Sequence, residues 1–170
     1  MTVPVSDETL LVVEVQVACR PAGLPSASEA EAWVRRAISA SGTVFSGVRE
    51  VAVRVVDSEE MRALNRDYRE QDQVTNVLSF PAEPVSGLPG EAPQVLGDIV
   101  VCAERVAEEA TRQGKSLADH WAHLLVHGTL HLLGYDHQVD AEAAEMEDLE
   151  ARILAKYGVS DPYEVSPDSC

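Results

Sequence analysis

Three histidines stand at the spacing His-x3-His-x2-Gly-x2-His: His127, His131 and His137, with Gly134 between the second and third. Residues four apart on a helix share a face, so the rings of His127 and His131 can grip one ion. Gly134 is placed to end that helix in a left-handed conformation, which glycine adopts without steric cost, and the returning chain then brings His137 to the same point. Three neutral imidazoles at about 2.0–2.1 Å from zinc leave the fourth tetrahedral position to water, the arrangement of a catalytic rather than a structural site. Zinc lowers the pKa of such a water to about 7, so the expected chemistry is hydrolysis with one Zn2+ per chain. Unrelated core or surface histidines would be scattered, whereas all five histidines of this chain fall between His120 and His137. His123, one turn before His127, is expected beside the metal as an outer-shell partner rather than a fourth ligand, because a catalytic site needs its open position. His120 is expected to face solvent.

The same spacing occurs in the metzincin proteases, where a glutamate directly after the first histidine is the general base. Here that position is Gly128. Without the base, peptide hydrolysis is not expected, and a substrate that carries its own nucleophile fits better. RNA is one, since its 2′-hydroxyl can attack the neighbouring phosphate. The phosphodiester then needs its developing charge neutralised by the metal and by a guanidinium. Arg69, between a predicted helix and a polar loop, is a candidate supplier, a solvated surface arginine being the other reading of that residue.

Elements must position these groups. β-branched clusters and alternation predict strands at 10–17, 51–56, 76–80 and 95–101. Ser26 or Ser28 caps a helix carrying Trp33, Val34 and Ile38 that stops near Gly42, and Ser58 opens a second helix to about residue 68. Further helices are expected at 103–113, 117–133 and 140–156, the last with Met146, Leu149, Ile153 and Leu154 on one side and acids opposite. Prolines and glycines make 83–93 a loop. The expected fold is α+β: a small mixed four-stranded sheet, most helices on one face, and the three-histidine site at the end of a long helix. One domain is expected over 1–170, with 1–8 and 160–170 loosely ordered.

Composition is that of a globular protein, 45% hydrophobic and 25% charged, and no run approaches the roughly 18 apolar residues that span a bilayer. The first residues lack the basic region of a signal peptide, so a cytoplasmic location is expected. Cys19, Cys102 and Cys170 are too few and too dispersed for a disulfide framework or a cysteine zinc site. A net charge of −16 opposes polyanion binding at long range. The charge is uneven, however: five arginines lie between Arg49 and Arg69, and nine acids follow His137. A locally positive cleft is compatible with that distribution.

The segment His127-Gly128-Thr129-Leu130-His131-Leu132-Leu133-Gly134-Tyr135-Asp136-His137 resembles the signature of the YbeY proteins, bacterial endoribonucleases of ribosomal RNA maturation. Tyr68-Arg69 with Thr75-Asn76-Val77-Leu78-Ser79-Phe80-Pro81, then Leu96-Gly97-Asp98-Ile99-Val100, are similar to two further blocks of that family, and Asp161-Pro162-Tyr163 to a common ending. The resemblance implies zinc held by His127, His131 and His137, with Arg69 as the functional arginine beside it. It implies cleavage of single-stranded RNA, acting in ribosome quality control and in maturation of the 3′ end of 16S rRNA. Small-subunit ribosomal proteins or assembly factors are the expected partners, and the acidity of the final helix is compatible with their docking there. Thr75, Asn76 and Ser79 are candidates for substrate contact or for satisfying the strand end, and Asp98 for orienting a histidine ring or bracing a helix. Asp136 is expected to form the turn. A zinc-stabilised assembly factor without catalysis, and a hydrolase of a smaller phosphoester, are the competing readings.

Overall fold

The chain runs β1 (Leu11–Val17), α1 (Ala27–Ser41), β2 (Arg49–Val56), α2 (Ser58–Arg69), β3 (Val77–Pro81), β4 (Gln94–Cys102), α3 (Ala103–Gln113), α4 (Leu117–Leu132) and α5 (Asp140–Lys156). This computed structural model describes residues 11–19, 23–43, 45, 48–82, 94–136 and 139–163. The expected loop at 83–93 and the expected loose ends at 1–8 and 164–170 lie outside them. Within the expected loose end at 160–170, residues 160–163 are described, and Pro162 and Tyr163 hydrogen-bond to the helical layer.

The sheet has the order β1-β2-β4-β3, with β1, β2 and β4 parallel and β3 antiparallel along β4. Period-two alternation assigns its faces: Val51, Val53, Val55, Ile99 and Val101 are buried on one side. There they pack with Val34 and Ile38 of α1, Val106 of α3 and Trp121 and Leu125 of α4. Val56, Leu78, Val100 and Cys102 point the other way, toward Met61 of α2. A second layer forms where Met146, Leu149, Ile153 and Leu154 of α5 meet Val126 and Leu130 of α4. The expected α+β architecture, with most helices on one face, is therefore the observed one.

Helix ends follow from local chemistry. Ser26 Oγ accepts from Glu29 N at 3.1 Å, and Ser116 Oγ caps α4 through Asp119 N at 3.1 Å. At α2 the cap is Asp57 rather than Ser58: its carboxylate accepts from Glu60 N at 2.9 Å, while Ser58 Oγ turns to Glu104. Gly134 has φ +99°, and Tyr135 N returns to Leu130 O at 3.1 Å, so the predicted glycine stop of α4 is formed. Among the described residues no helix is long and apolar enough to cross a membrane.

Candidate metal centre

Helix α4 is surrounded: sheet, α1, α3 and α5 all pack against it, and residues on every side of it are buried. His123, His127 and His131 form its partly exposed polar stripe. Steps of four residues advance about 40° around a helix of 3.6 residues per turn, so this stripe winds from the α5 side toward a cleft. His127, in the middle, serves both sides.

On the cleft side, His127 Nε2 and His131 Nε2 lie 3.1 Å apart. Two nitrogens each about 2.0–2.1 Å from a tetrahedral zinc are separated by about 3.3 Å, so the pair fits that ion. The third expected ligand, His137, lies outside the described residues. The cleft, about 660 Å³, is lined by both histidines, by Arg69 and by Thr75, Asn76 and Ser79, with Tyr135 and Asp136 at the turn beyond α4. Thus residues separated by about sixty positions in the chain converge on one cavity.

Arg69 stands in the last turn of α2. Its Nη2 donates to Ser79 O at 2.6 Å and its guanidinium lies 5.4 Å from the centre of the Phe80 ring, which fixes the group against β3. A guanidinium has five N–H donors, so the carbonyl contact leaves donors for an anion. Ser79 is itself held, Oγ donating to Gly128 O at 2.9 Å. Asn76 Nδ2 donates to Glu109 Oε1 at 2.9 Å, so strand-end bracing accounts for part of that side chain's hydrogen bonding.

Gly128 explains the missing glutamate. A Cβ there would sit 2.9 Å from Ile99 Cγ2 and 3.3 Å from Ser79 Oγ. The position faces the sheet rather than the cleft, and no carboxylate fits.

On the α5 side, Glu150 is fully buried. Its Oε1 accepts from His127 Nδ1, and its Oε2 faces the Tyr163 hydroxyl and His123 Nε2, the last at 3.3 Å. Burial would raise this carboxyl, but the hydrogen bonds from His123, His127 and Tyr163 bring it down to about 2. Burial, then the adjacent carboxylate, push the Tyr163 phenol up. His123, His127 and Glu150 offer atoms within 4.8 Å of one another and could themselves hold a metal. His123 Nδ1 is buried with no partner, and an orphan lone pair is less costly than an orphan N–H. The His123 proton therefore sits on Nε2, where it faces Glu150 and Tyr163, which suits an outer-shell residue better than a ligand.

The expectation for His120 is corrected, and so is one of the two roles expected of Asp98. Asp98 is exposed on the sheet face opposite α4, near Gln16, Arg54, Tyr68 and Phe80, because β4 alternation sends Ile99 and Val101 toward the helices. It orients no histidine. His120 does not face solvent: it is 3% exposed, its Nε2 is 2.9 Å from Glu109 Oε1, and burial pushes its imidazole below the usual range. Glu150 and Tyr163 were not expected at the site. The signal for Glu150 was an acid within the apolar stripe Met146, Leu149, Ile153 and Leu154.

The family model described as Endoribonuclease YbeY matches residues 22–158. The Endoribonuclease YbeY of Halorhodospira halophila is 58% identical over 143 residues, covering 84% of this chain and 90% of that one. That of Alkalilimnicola ehrlichii is 54% identical over 164 residues, 96% of this chain and 97% of its own. Among solved structures, the solution structure of TM1509 from Thermotoga maritima shares the fold at TM-score 0.50 and 22% identity, over 90% of this chain and 99% of its own. With matches of this length and identity around the cleft just described, the chain belongs to the YbeY family.

Proposed function

We propose that this protein is a zinc-dependent endoribonuclease that cuts single-stranded RNA, acting in the cytoplasm on the 3′ end of 16S rRNA and in ribosome quality control. The observation that carries the reading is the convergence of Arg69 with His127 and His131 on one cleft. His127, His131 and His137 are the ligands in this reading, and zinc when bound supplies positive charge and Lewis acidity at the scissile phosphate. Arg69, anchored by Ser79 O, binds a phosphate oxygen and stabilises charge that grows as the bond breaks. Thr75 and Asn76 offer polar contacts along the same wall. The relatives named above carry the name endoribonuclease, which supports the substrate class. Exposed Glu142, Glu145, Glu147 and Asp148 on α5 suit a basic ribosomal protein or assembly factor, which would bring an acidic enzyme to RNA that it repels in free solution.

The test is incubation of single-stranded RNA with wild type, Arg69→Glu and His127→Ala, each with and without chelator. Wild type is expected to cut and chelator to stop it, with each variant at least about 100-fold slower. Equal cleavage by all three proteins would reject the reading.

A further inference from the structure

We propose that Glu150 is a positioning residue for the metal ligand His127, and that Tyr163 clamps it from the C-terminal side; the inference rests on the zinc reading above. A buried carboxylate on an apolar helix stripe carries a large desolvation cost unless its oxygens are fully engaged. Here they are: His127 Nδ1–H occupies Oε1, and Tyr163 O–H and His123 Nε2–H face Oε2. Holding the proton of His127 on Nδ1 directs the bare Nε2 toward His131 Nε2. An imidazole ring turns broadly about χ2, so the fixed acceptor also selects its orientation.

Tyr163 is fastened independently of the metal. Its backbone N donates to Asp161 Oδ1 at 2.8 Å, and Lys115 Nζ donates to Pro162 O at 3.3 Å, tying the turn to the start of α4. The ring lies edge-on to His123 at 5.3 Å and its hydroxyl closes over Glu150. Residues 161–163 therefore act on the metal through two intermediates without touching it.

The experiment measures zinc affinity of the full chain by competition with a chromophoric chelator. Glu150→Gln keeps the volume and an acceptor but removes the charge, and is expected to bind zinc roughly 10–100-fold more weakly; Tyr163→Phe should lose roughly 3–10-fold. Long-range 15N–1H NMR supplies a second readout that does not require a Glu150 variant to fold. Metal-free wild type should show His127 protonated on Nδ1, and added zinc should move its Nε2 resonance. Unchanged affinity in folded Glu150→Gln, a His127 proton on Nε2, or zinc coordinated through Nδ1 with loss of its proton would each overturn the proposal. A wild type that binds no zinc would sink the metal reading as well, whereas zinc-binding wild type with an unaffected Glu150→Gln would sink this inference alone.

Discussion

Ser79 Oγ donates to the carbonyl of Gly128 at 2.9 Å, joining the edge strand β3 to helix α4 one residue beyond His127. The same serine offers its own carbonyl to Arg69. One residue thereby links the guanidinium to the histidine helix, at a position where a Cβ on residue 128 would lie 3.3 Å from Ser79 Oγ.

Gly128→Ala should test that spacing. Its Cβ meets a β-branched methyl at 2.9 Å, and overpacking of this kind costs about 1–3 kcal/mol. Alanine's helix preference returns about 1 kcal/mol. A net loss of stability in urea unfolding is expected, with RNA cleavage falling further than stability because Ser79 is displaced. A variant as stable and as active as wild type would show that the close approach is unimportant.

Arg69→Lys separates charge from geometry. Lysine keeps the positive charge and loses the planar fork and the Phe80 contact. Because Arg69 is exposed, stability should change by less than about 0.5 kcal/mol, while cleavage falls at least about tenfold. Matched unfolding curves and initial rates check both halves.

Glu70 closes α2 at φ +58°, a left-handed conformation that non-glycine residues adopt at a cost. Glu70→Gly should raise stability by about 0.5–1 kcal/mol and leave the cleft residues in place. An unchanged or lower unfolding midpoint would contradict this.

Acid should destabilise the fold through His120 before it reaches the carboxylates. Burial depresses the folded His120 pKa below its ordinary 6.5. Above pH 6.5 the group is neutral in both states and adds no slope; below it, the unfolded chain takes up a proton that the folded chain refuses, so stability falls. Glu109 is held below its ordinary 4.5 by His120, Asn76 and Arg105 against the opposing effect of burial, and its contribution is lost as pH falls through that lower range. His120→Gln should flatten the stability profile between pH 6.5 and 5, measured with chelator present so that zinc release does not add to the slope. A profile parallel to wild type would count against the buried neutral imidazole.

Much of this arrangement is legible in local sequence, and the exceptions share one cause. The bounds of α3 and α5 agree with the periodicity, and the i,i+4 pairing of His127 with His131 follows from helix geometry alone. Gly134 marks its turn because the chain leaving α4 takes up a left-handed conformation there, at φ +99°. His120, Asp98 and Glu150 were misplaced or missed because their surroundings come from distant segments. Glu109 that faces His120 is on another helix, the face of β4 that α4 covers is set by tertiary packing, and the histidines that engage Glu150 come from α4, more than twenty residues away in sequence.

In the proposed function one metal centre, built on His127 and His131 with His137, enables RNA cleavage. The most direct measurement strips the protein of metal, adds zinc back in steps and follows cleavage of a single-stranded RNA together with bound zinc. No cleavage is expected without metal, and the rate is expected to rise in proportion to zinc until one equivalent is bound per chain. Full cleavage by the metal-free protein, or zinc uptake that leaves the rate unchanged, would contradict it.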